Sequence, residues 1–366
     1  MKISISQTEL QNAVSVVIKG ISSRSTLPIL SGILISTSKD LLTLQTTDLE
    51  KSVKYSCEAL IEEEGEIVVP GKLFFEIVKN LQDAAVSLES IDENIVINCV
   101  ASSFSIKTLD PQDFPSFPEV ETQEHIKIPF NDFSSIVKKV SRVVSKDESR
   151  AILTGILISF EDQYIKFVAT DSYRLAIAEI ENNAPDSSEF EAVISGTFLS
   201  EIASLPKTQE NISLALSENQ IIVSYQNTVF VNRRIEGSFP NYKQLLPESH
   251  TMKAIVSTDE LIAGVKRVSL LDAISSPIRF DFNHETQTIQ ISSVAQDIGS
   301  AQETLSCKIE GDDTEIAFNF AYVLDGLNAV STKNIEIETQ NSMKPGIIKT
   351  KEEENFLYLI MPVRLS

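Results

Sequence analysis

Three stretches of this chain repeat one another at domain-length spacing, and no other feature limits the possible fold as strongly. Gly32-Ile33-Leu34-Ile35-Ser36 recurs as Gly155-Ile156-Leu157-Ile158-Ser159, with a weaker echo at Pro277-Ile278-Arg279-Phe280. Other landmarks move in step. Thr47-Asp48 returns as Thr170-Asp171 and, degraded, as Gln296-Asp297. Gly71-Lys72-Leu73-Phe74 returns as Gly196-Thr197-Phe198-Leu199 and then as Asn319-Phe320-Ala321-Tyr322, while Phe114-Pro115 is matched by Phe239-Pro240. A period of about 120 residues is too long for a solenoid repeat of roughly 20 to 50 and matches a whole domain. The spacing predicts three like domains in series, spanning residues 1–122, 123–249 and 250–366.

With 366 residues and 42% hydrophobic content, each unit can bury a core of its own. No apolar run reaches the length of a membrane span, and Met1-Lys2-Ile3-Ser4-Ile5 lacks a signal-peptide core, so a cytoplasmic location is expected. Cys57, Cys99 and Cys307 are odd in number and widely spaced, which predicts buried free thiols instead of disulfides or a zinc site.

Each unit opens with a helical pattern, passes through strands to a second helix, and finishes in strands. Apolar residues at Leu10, Ala13, Val14, Val17 and Ile18 keep helical spacing behind a Ser or Thr cap. Strands are expected near 30–36, 41–46, 51–60, 85–90, 94–100 and 103–109, with a helix over 72–81. The later units give helices at 131–145, 197–205, 258–270 and 320–330. Polar linkers run from Glu119 to Lys127 and from Glu248 to Lys253, and they contain His125 and His250.

Net charge is −21, which taken alone argues against a protein that grips nucleic acid. The sign is segregated, however. The six helical segments together sum to about +4, leaving strands and loops strongly acidic. Lys138, Lys139, Arg142, Lys146, Lys266 and Arg267 supply the excess, and they read either as solvated faces or as a loose phosphate-facing lining.

These repeats, in this order, resemble the beta sliding clamps of bacterial DNA polymerase III along the whole chain. The tokens that carry the likeness are Thr26-Leu27-Pro28-Ile29-Leu30, Thr47-Asp48-Leu49-Glu50, Val168-Ala169-Thr170-Asp171-Ser172-Tyr173-Arg174-Leu175-Ala176, Phe239-Pro240-Asn241-Tyr242, Tyr322-Val323-Leu324-Asp325 and Met361-Pro362-Val363-Arg364-Leu365. The resemblance implies an α+β fold of three DNA-clamp domains, each with two helices packed on antiparallel β-sheets. It further implies that two chains join head to tail as a homodimer, a six-domain ring that encircles double-stranded DNA without sequence specificity. Such a clamp does no bond chemistry and needs no cofactor or metal. Its implied partners are a clamp loader complex, the DNA polymerase III alpha subunit and other proteins with short Leu/Phe motifs.

The resemblance also assigns three surfaces. A partner-peptide slot falls on Arg150, Leu153, Thr170, Ser172, Tyr173, Arg174, Leu175, Pro240, Gln244, Leu245, Pro345, Leu359, Met361, Pro362, Val363 and Arg364. Tyr173 stands where a histidine is common, Val363 where methionine is common, and Ser366 follows the usual terminal leucine. A ring interface falls on Phe104 and Ile106, expected on an edge strand, and on Leu270 and Leu271, with Lys72 opposite Asp297 or Glu303. Arg24 matches a DNA-contacting arginine, whereas Asp147, Ala151 and Ile152 replace polar or aromatic DNA contacts of some relatives.

Two other classes of protein stand as alternatives. An enzyme finds no support in a phosphate-binding GxxxxGK, an HExxH or a nucleophile elbow. Gly311-Asp312-Asp313 reads as a solvated turn, and Glu62-Glu63-Glu64 and Glu352-Glu353-Glu354 as solubilising hairpin loops. A peptide-binding scaffold that does not encircle DNA differs only in lacking a use for Arg24 and the basic helices.

Overall fold

A computed structural model describes residues 1–21, 27–118, 125–161, 163–181, 190–217, 219–271, 277–295, 298–350, 352 and 355–364. In the first repeat the order is β1 (Lys2–Ser6), α1 (Gln7–Val17), β2 (Gly32–Ser38), β3 (Leu41–Thr47), β4 (Lys51–Glu58), β5 (Leu60–Glu63), β6 (Gly65–Pro70), α2 (Gly71–Asn80), β7 (Ala85–Ile91), β8 (Asn94–Cys99) and β9 (Ser102–Lys107). The second gives β10 (His125–Pro129), α3 (Phe130–Val140), β11 (Gly155–Glu161), β12 (Tyr164–Thr170), β13 (Arg174–Glu181), β14 (Phe190–Ser195), α4 (Gly196–Ala203), β15 (Asn211–Leu216), β16 (Gln220–Tyr225) and β17 (Thr228–Arg233). The third gives β18 (Met252–Ser257), α5 (Thr258–Val268), β19 (Pro277–Asn283), β20 (Thr288–Ala295), β21 (Gly299–Ser306), β22 (Lys308–Gly311), β23 (Thr314–Asn319), α6 (Phe320–Leu327), β24 (Asn334–Thr339), β25 (Gly346–Lys349) and β26 (Phe356–Ile360).

The repeated tokens therefore open the same elements each time. Gly32, Gly155 and Pro277 begin β2, β11 and β19, and the Gly71, Gly196 and Phe320 tokens begin α2, α4 and α6. Strand-to-helix junctions reuse one device. Ser6 accepts from the Glu9 amide at 3.2 Å, Ser195 from Phe198 at 3.4 Å, Ser257 from Glu260 at 3.5 Å, and Asn319 from Ala321 at 2.9 Å. Each satisfies an amide that the first helical turn leaves unpaired.

Several boundaries moved, for local reasons. The strand expected from residue 30 starts at Gly32 because Pro28 begins a 3-10 turn over Pro28–Ser31. The helix expected over 131–145 stops at Val140 and tightens into a 3-10 turn over Ser141–Val143, where serine and valine weaken helical continuation. The last helix ends at Leu327, where the Asn328 amide and side chain both donate to the Leu324 carbonyl. The single strand expected over 51–60 divides at Ala59, since β4 and β5 belong to different sheets. Glu62 and Glu63 lie in strand β5, not in a hairpin loop, and Lys2 pairs with Glu62 at 3.0 Å. Glu353 and Glu354 lie outside the described residues.

Two compact units emerge, one of residues 1–131 and 206–234, the other of 132–205 and 235–366. The first holds a five-stranded sheet, β5-β1-β7-β8-β9, and an eight-stranded sheet, β10-β15-β16-β17-β4-β3-β2-β6. Here β17 of the second repeat pairs antiparallel with β4 of the first, setting Phe230 opposite Val53. The second unit holds a nine-stranded sheet, β14-β11-β12-β13-β26-β25-β24-β18-β22, and a four-stranded sheet, β21-β20-β19-β23. In the nine-stranded sheet β13 of the second repeat pairs with β26 of the third, setting Leu175 opposite Leu359. Fully buried Leu10, Val14, Phe74 and Val78 seat α1 and α2 in the first unit, and Leu261, Val265 and Leu327 seat α5 and α6 in the second. Close helix packing needs a glycine at 326, where a Cβ would lie 2.6 Å from the Tyr358 ring.

No helix among the described residues is long and apolar enough to cross a membrane. Cys57 and Cys99 are buried free thiols, while Cys307 is half-buried. Burial pushes the Cys57 thiol up to about 12 and that of Cys307 up to about 11. Folded protein should accordingly be alkylated by iodoacetamide at pH 8 on the order of 100-fold more slowly than unfolded protein, because the thiolate is the reactive form; fast labelling of native Cys57, read by mass spectrometry, would contradict this burial.

Candidate functional site

The Thr170-Asp171 token proves to be the wiring of a tight turn between β12 and β13. The Asp171 carboxylate accepts from the Tyr173 amide at 2.9 Å, the Arg174 amide at 3.1 Å and Arg174 Nε at 2.9 Å. Thr170 Oγ1 donates to the Arg174 carbonyl at 2.7 Å and accepts from the Ser172 amide at 3.2 Å. Ser172 consequently takes a left-handed φ of 81°, and Arg150 Nη2 donates to its hydroxyl at 2.9 Å. Such Asx and hydroxyl bonds are what make Asp and Thr turn-forming residues. The first repeat has the same turn, with Thr47 and Asp48 holding Leu49 at φ 77°.

Beyond the turn, Leu175 and Leu359 meet across strands and join Leu157, Val168, Ile177, Val193 and Tyr242 in one buried cluster. Ile152, Ile235, Phe239, Leu246, Leu357 and Met361 pack against it. The Met361 amide donates to the Tyr173 carbonyl at 2.8 Å, which lays the chain's last described segment along the turn. Leu153, Leu175 and Leu359 are almost wholly buried, whereas Tyr173, Leu245 and Val363 are 62%, 44% and 38% exposed. Pro240, Gln244 and Arg364 are also exposed, and Pro345, Met361 and Pro362 are half-buried. The arrangement is an apolar floor with a partly apolar rim. Leu246 is the leucine packed on the cluster, the expected Leu245 stands on the rim, and Phe239 and Tyr242 of the Phe239-Pro240-Asn241-Tyr242 token add floor residues that the resemblance does not assign. Ile152 turns inward to the cluster.

Arg174 differs from the other expected slot residues in that its side chain is committed to a polar network. It lies 8% exposed, with Nη1 donating to Asp325 and to Tyr358 Oη at 3.2 Å and Nη2 donating to the Arg142 carbonyl at 2.8 Å. Its guanidinium also stacks 4.3 Å from the centre of the Tyr322 ring. Burial opposes the charge, but Tyr358, Asp325 and Asp171 more than offset it and hold the guanidinium above its ordinary pKa. An open cleft of about 1180 Å³ runs beside this network, lined in part by Arg142, Lys146, Arg150, Tyr173, Tyr322 and Asp325.

The basic residues Lys138 and Lys139 occupy the last turn of α3, with exposed Arg142 and Lys146 just beyond it. Lys139 Nζ lies 5.3 Å from the Phe356 ring centre. Lys266 and Arg267 occupy the last turn of α5, so both groups also complement helix dipoles. Arg267 donates through Nε to Glu303 at 2.8 Å, and the hydrogen bonds from Arg267 hold the Glu303 carboxyl below its usual range. Within one chain these two residues thus engage each other. Arg24 and Asp297 lie outside the described residues.

Phe104, 39% exposed, and half-buried Ile106 sit on β9, an edge strand of the five-stranded sheet, and Glu303 sits on β21, an edge strand of the four-stranded sheet. Leu270 is 82% exposed and Leu271 half-buried in a 3-10 turn, Ser269–Leu271, that follows α5, and Lys72 is exposed in the first turn of α2. Asp147 caps a 3-10 turn through the Ser149 amide at 3.0 Å. Among the described residues no cluster of His, Cys, Asp or Glu could hold a metal ion.

A threefold strand-and-helix design with an apolar slot is the build of a DNA clamp, and comparison with known proteins shows that class. The DNA polymerase III beta subunit N-terminal, central and C-terminal domain families match residues 1–118, 127–241 and 243–364. The beta sliding clamps of Bacillus subtilis and Synechocystis are each 30% identical to the chain, with all of both partners covered. Among solved structures, the Bacillus subtilis sliding clamp superposes with a TM-score of 0.96 at 30% identity and the Thermotoga maritima beta subunit with 0.94 at 27%, each over the full length of both chains. The chain belongs to the DNA polymerase III beta subunit family. It is thus a DNA sliding clamp, a processivity subunit of replication and not a catalyst.

Removing the Arg174 side chain would take the charge partner from Asp171, which keeps its two amide donors, and from Asp325, and would remove a donor to the Arg142 carbonyl. Arg174→Met should therefore lower stability by about 3 kcal/mol, read as a lower midpoint in urea; an unchanged midpoint would mean the network is dispensable.

Proposed function

We propose that two copies of this chain close head to tail into a ring of six domains, bounded near 1–122, 123–249 and 250–366 in each copy, with duplex DNA through the middle. The observation that carries the functional half of this reading is the exposed rim of Tyr173, Leu245 and Val363 over a buried leucine floor. It is a docking slot for short Leu/Phe motifs of the polymerase alpha subunit, the clamp loader and other cytoplasmic replication and repair proteins. Two buried anchors at about 1.5–3 kcal/mol each and a few main-chain hydrogen bonds at about 1 kcal/mol each oppose the ordering of a peptide. Micromolar affinity results, which suits partners that exchange.

Tethering by enclosure explains why a chain of net charge −21 serves DNA at all. Only a thin basic lining from Arg24, Lys138, Lys139, Arg142, Lys146 and Lys266 is needed, and tight phosphate contacts would impede sliding. Arg267 contributes less, since Glu303 neutralises it. Closure uses the edge strand bearing Phe104 and Ile106 on one chain and the region of Leu270, Leu271, Asp297 and Glu303 on the other, with Lys72 as a charged supplement. Pairing between chains would cover edges that are a liability when exposed.

The enclosure is tested by loading the protein onto nicked circular DNA with a clamp loader and ATP and then linearising the circle. Retention on the circle and loss from the linear form is expected; equal loss from both overturns the ring. Leu271→Glu should yield monomers in sedimentation velocity, and a persisting dimer would displace the proposed interface. Leu175→Ala and Met361→Ala should each weaken capture of a Leu/Phe peptide about tenfold or more, since truncating a packed apolar side chain costs about 2 kcal/mol or more; unchanged affinity by calorimetry would remove them from the slot.

A further inference from the structure

Four of the five N–H groups of Arg174 are committed inside the protein, to Asp171, Asp325, Tyr358 and the Arg142 carbonyl. A side chain so engaged has little left to offer a peptide. Its remaining influence on the slot runs through aromatic rings. The guanidinium lies against Tyr322, and the Tyr322 ring stacks on Tyr173 with centroids 6.4 Å apart. Tyr173 is the most exposed of the apolar rim residues, and its carbonyl accepts the Met361 amide. Tyr358 closes the circuit by donating from its hydroxyl to the Tyr322 carbonyl at 2.9 Å.

We propose that Asp325, with Tyr358, is a positioning residue for the partner slot: by fixing the Arg174 guanidinium it holds Tyr322, and through Tyr322 the Tyr173 rim, in the place that a partner's apolar anchor meets. The inference rests on the slot reading above but assigns affinity to residues outside the slot. Asp325 is one-third exposed on α6, and its carboxylate is the one acidic group on that helix that reaches Arg174. Without it the guanidinium keeps Asp171, which belongs to the turn itself, and loses its ion pair to the helix that carries Tyr322, leaving only the ring contact and the Tyr358 hydroxyl to hold that side. The rim should then sample more orientations, and a peptide must restrict them on binding, which weakens affinity without removing any contact.

The test uses the full-length protein and a fluorescein-labelled synthetic peptide with Leu and Phe anchors, titrated by fluorescence anisotropy at a temperature where circular dichroism reports every variant fully folded. Asp325→Asn should bind about 5- to 10-fold more weakly than the native protein, and Asp325→Glu, which keeps the charge, should recover most of the loss. Tyr358→Phe, which removes only a hydroxyl, should cost about 2- to 3-fold and serves if the Asp325 variants fail to fold. Ile289→Val, a cavity in the four-stranded sheet away from this network, should lower thermal stability while leaving affinity unchanged. Native affinity in Asp325→Asn and Tyr358→Phe overturns the positioning role, as does an equal loss in Ile289→Val, which would make the effect one of general stability. Failure of the native protein to bind the peptide overturns the slot itself, a separable outcome because it appears before any variant is compared.

Discussion

Antiparallel pairing between strands of different repeats is the interaction on which the rest of this molecule depends. Every repeat carries strands whose outer edge would otherwise present unpaired amides and carbonyls, and such edges invite uncontrolled association. The chain meets this by joining β17 to β4 and β26 to β13, so that three sequence copies become an eight-stranded and a nine-stranded sheet. The second repeat is thereby divided. Its β10 and β15–β17 complete a sheet with the first repeat, while β11–β14 complete one with the third. Main-chain hydrogen bonding at the two joints ties the second repeat to the first and to the third.

The slot is a consequence of one of those joints. Because β13 and β26 run side by side, Leu175 and Leu359 face each other, and the final segment is delivered to the Thr170–Arg174 turn. Alternation then sends neighbouring side chains to opposite faces. Leu175 goes to the apolar cluster and Arg174 to the network of Asp325, Tyr358 and the Arg142 carbonyl. A buried arginine is costly unless its donors are matched, and here nearly all of them are. One face of a single sheet joint thus carries an apolar cluster and the other a matched charged network.

Much of this was legible beforehand. The repeated tokens place every helix to within a few residues, and the resemblance puts Phe104 and Ile106 on an edge strand. What stayed hidden depended on partners remote in sequence. Nothing near Glu62 and Glu63 says that their strand leaves β4 for another sheet, because the strand it pairs with, β1, lies far off at the start of the repeat. Nothing near Arg267 reveals Glu303, although the pair links a residue assigned to DNA with one assigned to the ring interface. Leu245 and Leu246 are indistinguishable by composition, and only the path of the loop after Tyr242 decides which one turns inward.

The sequence by itself determined that this chain is three copies of one α+β unit, since periodicity and capping residues are local signals that survive in any context. It also determined the turn at Thr170-Asp171, whose hydrogen bonds close within five residues. Only the tertiary structure decided which strands of different repeats pair and where the buried charge of Arg174 is neutralised. Main-chain hydrogen bonds are chemically alike at every position, so strand choice is settled by how whole faces pack, and an ion pair spanning 151 residues exists only once that packing is in place.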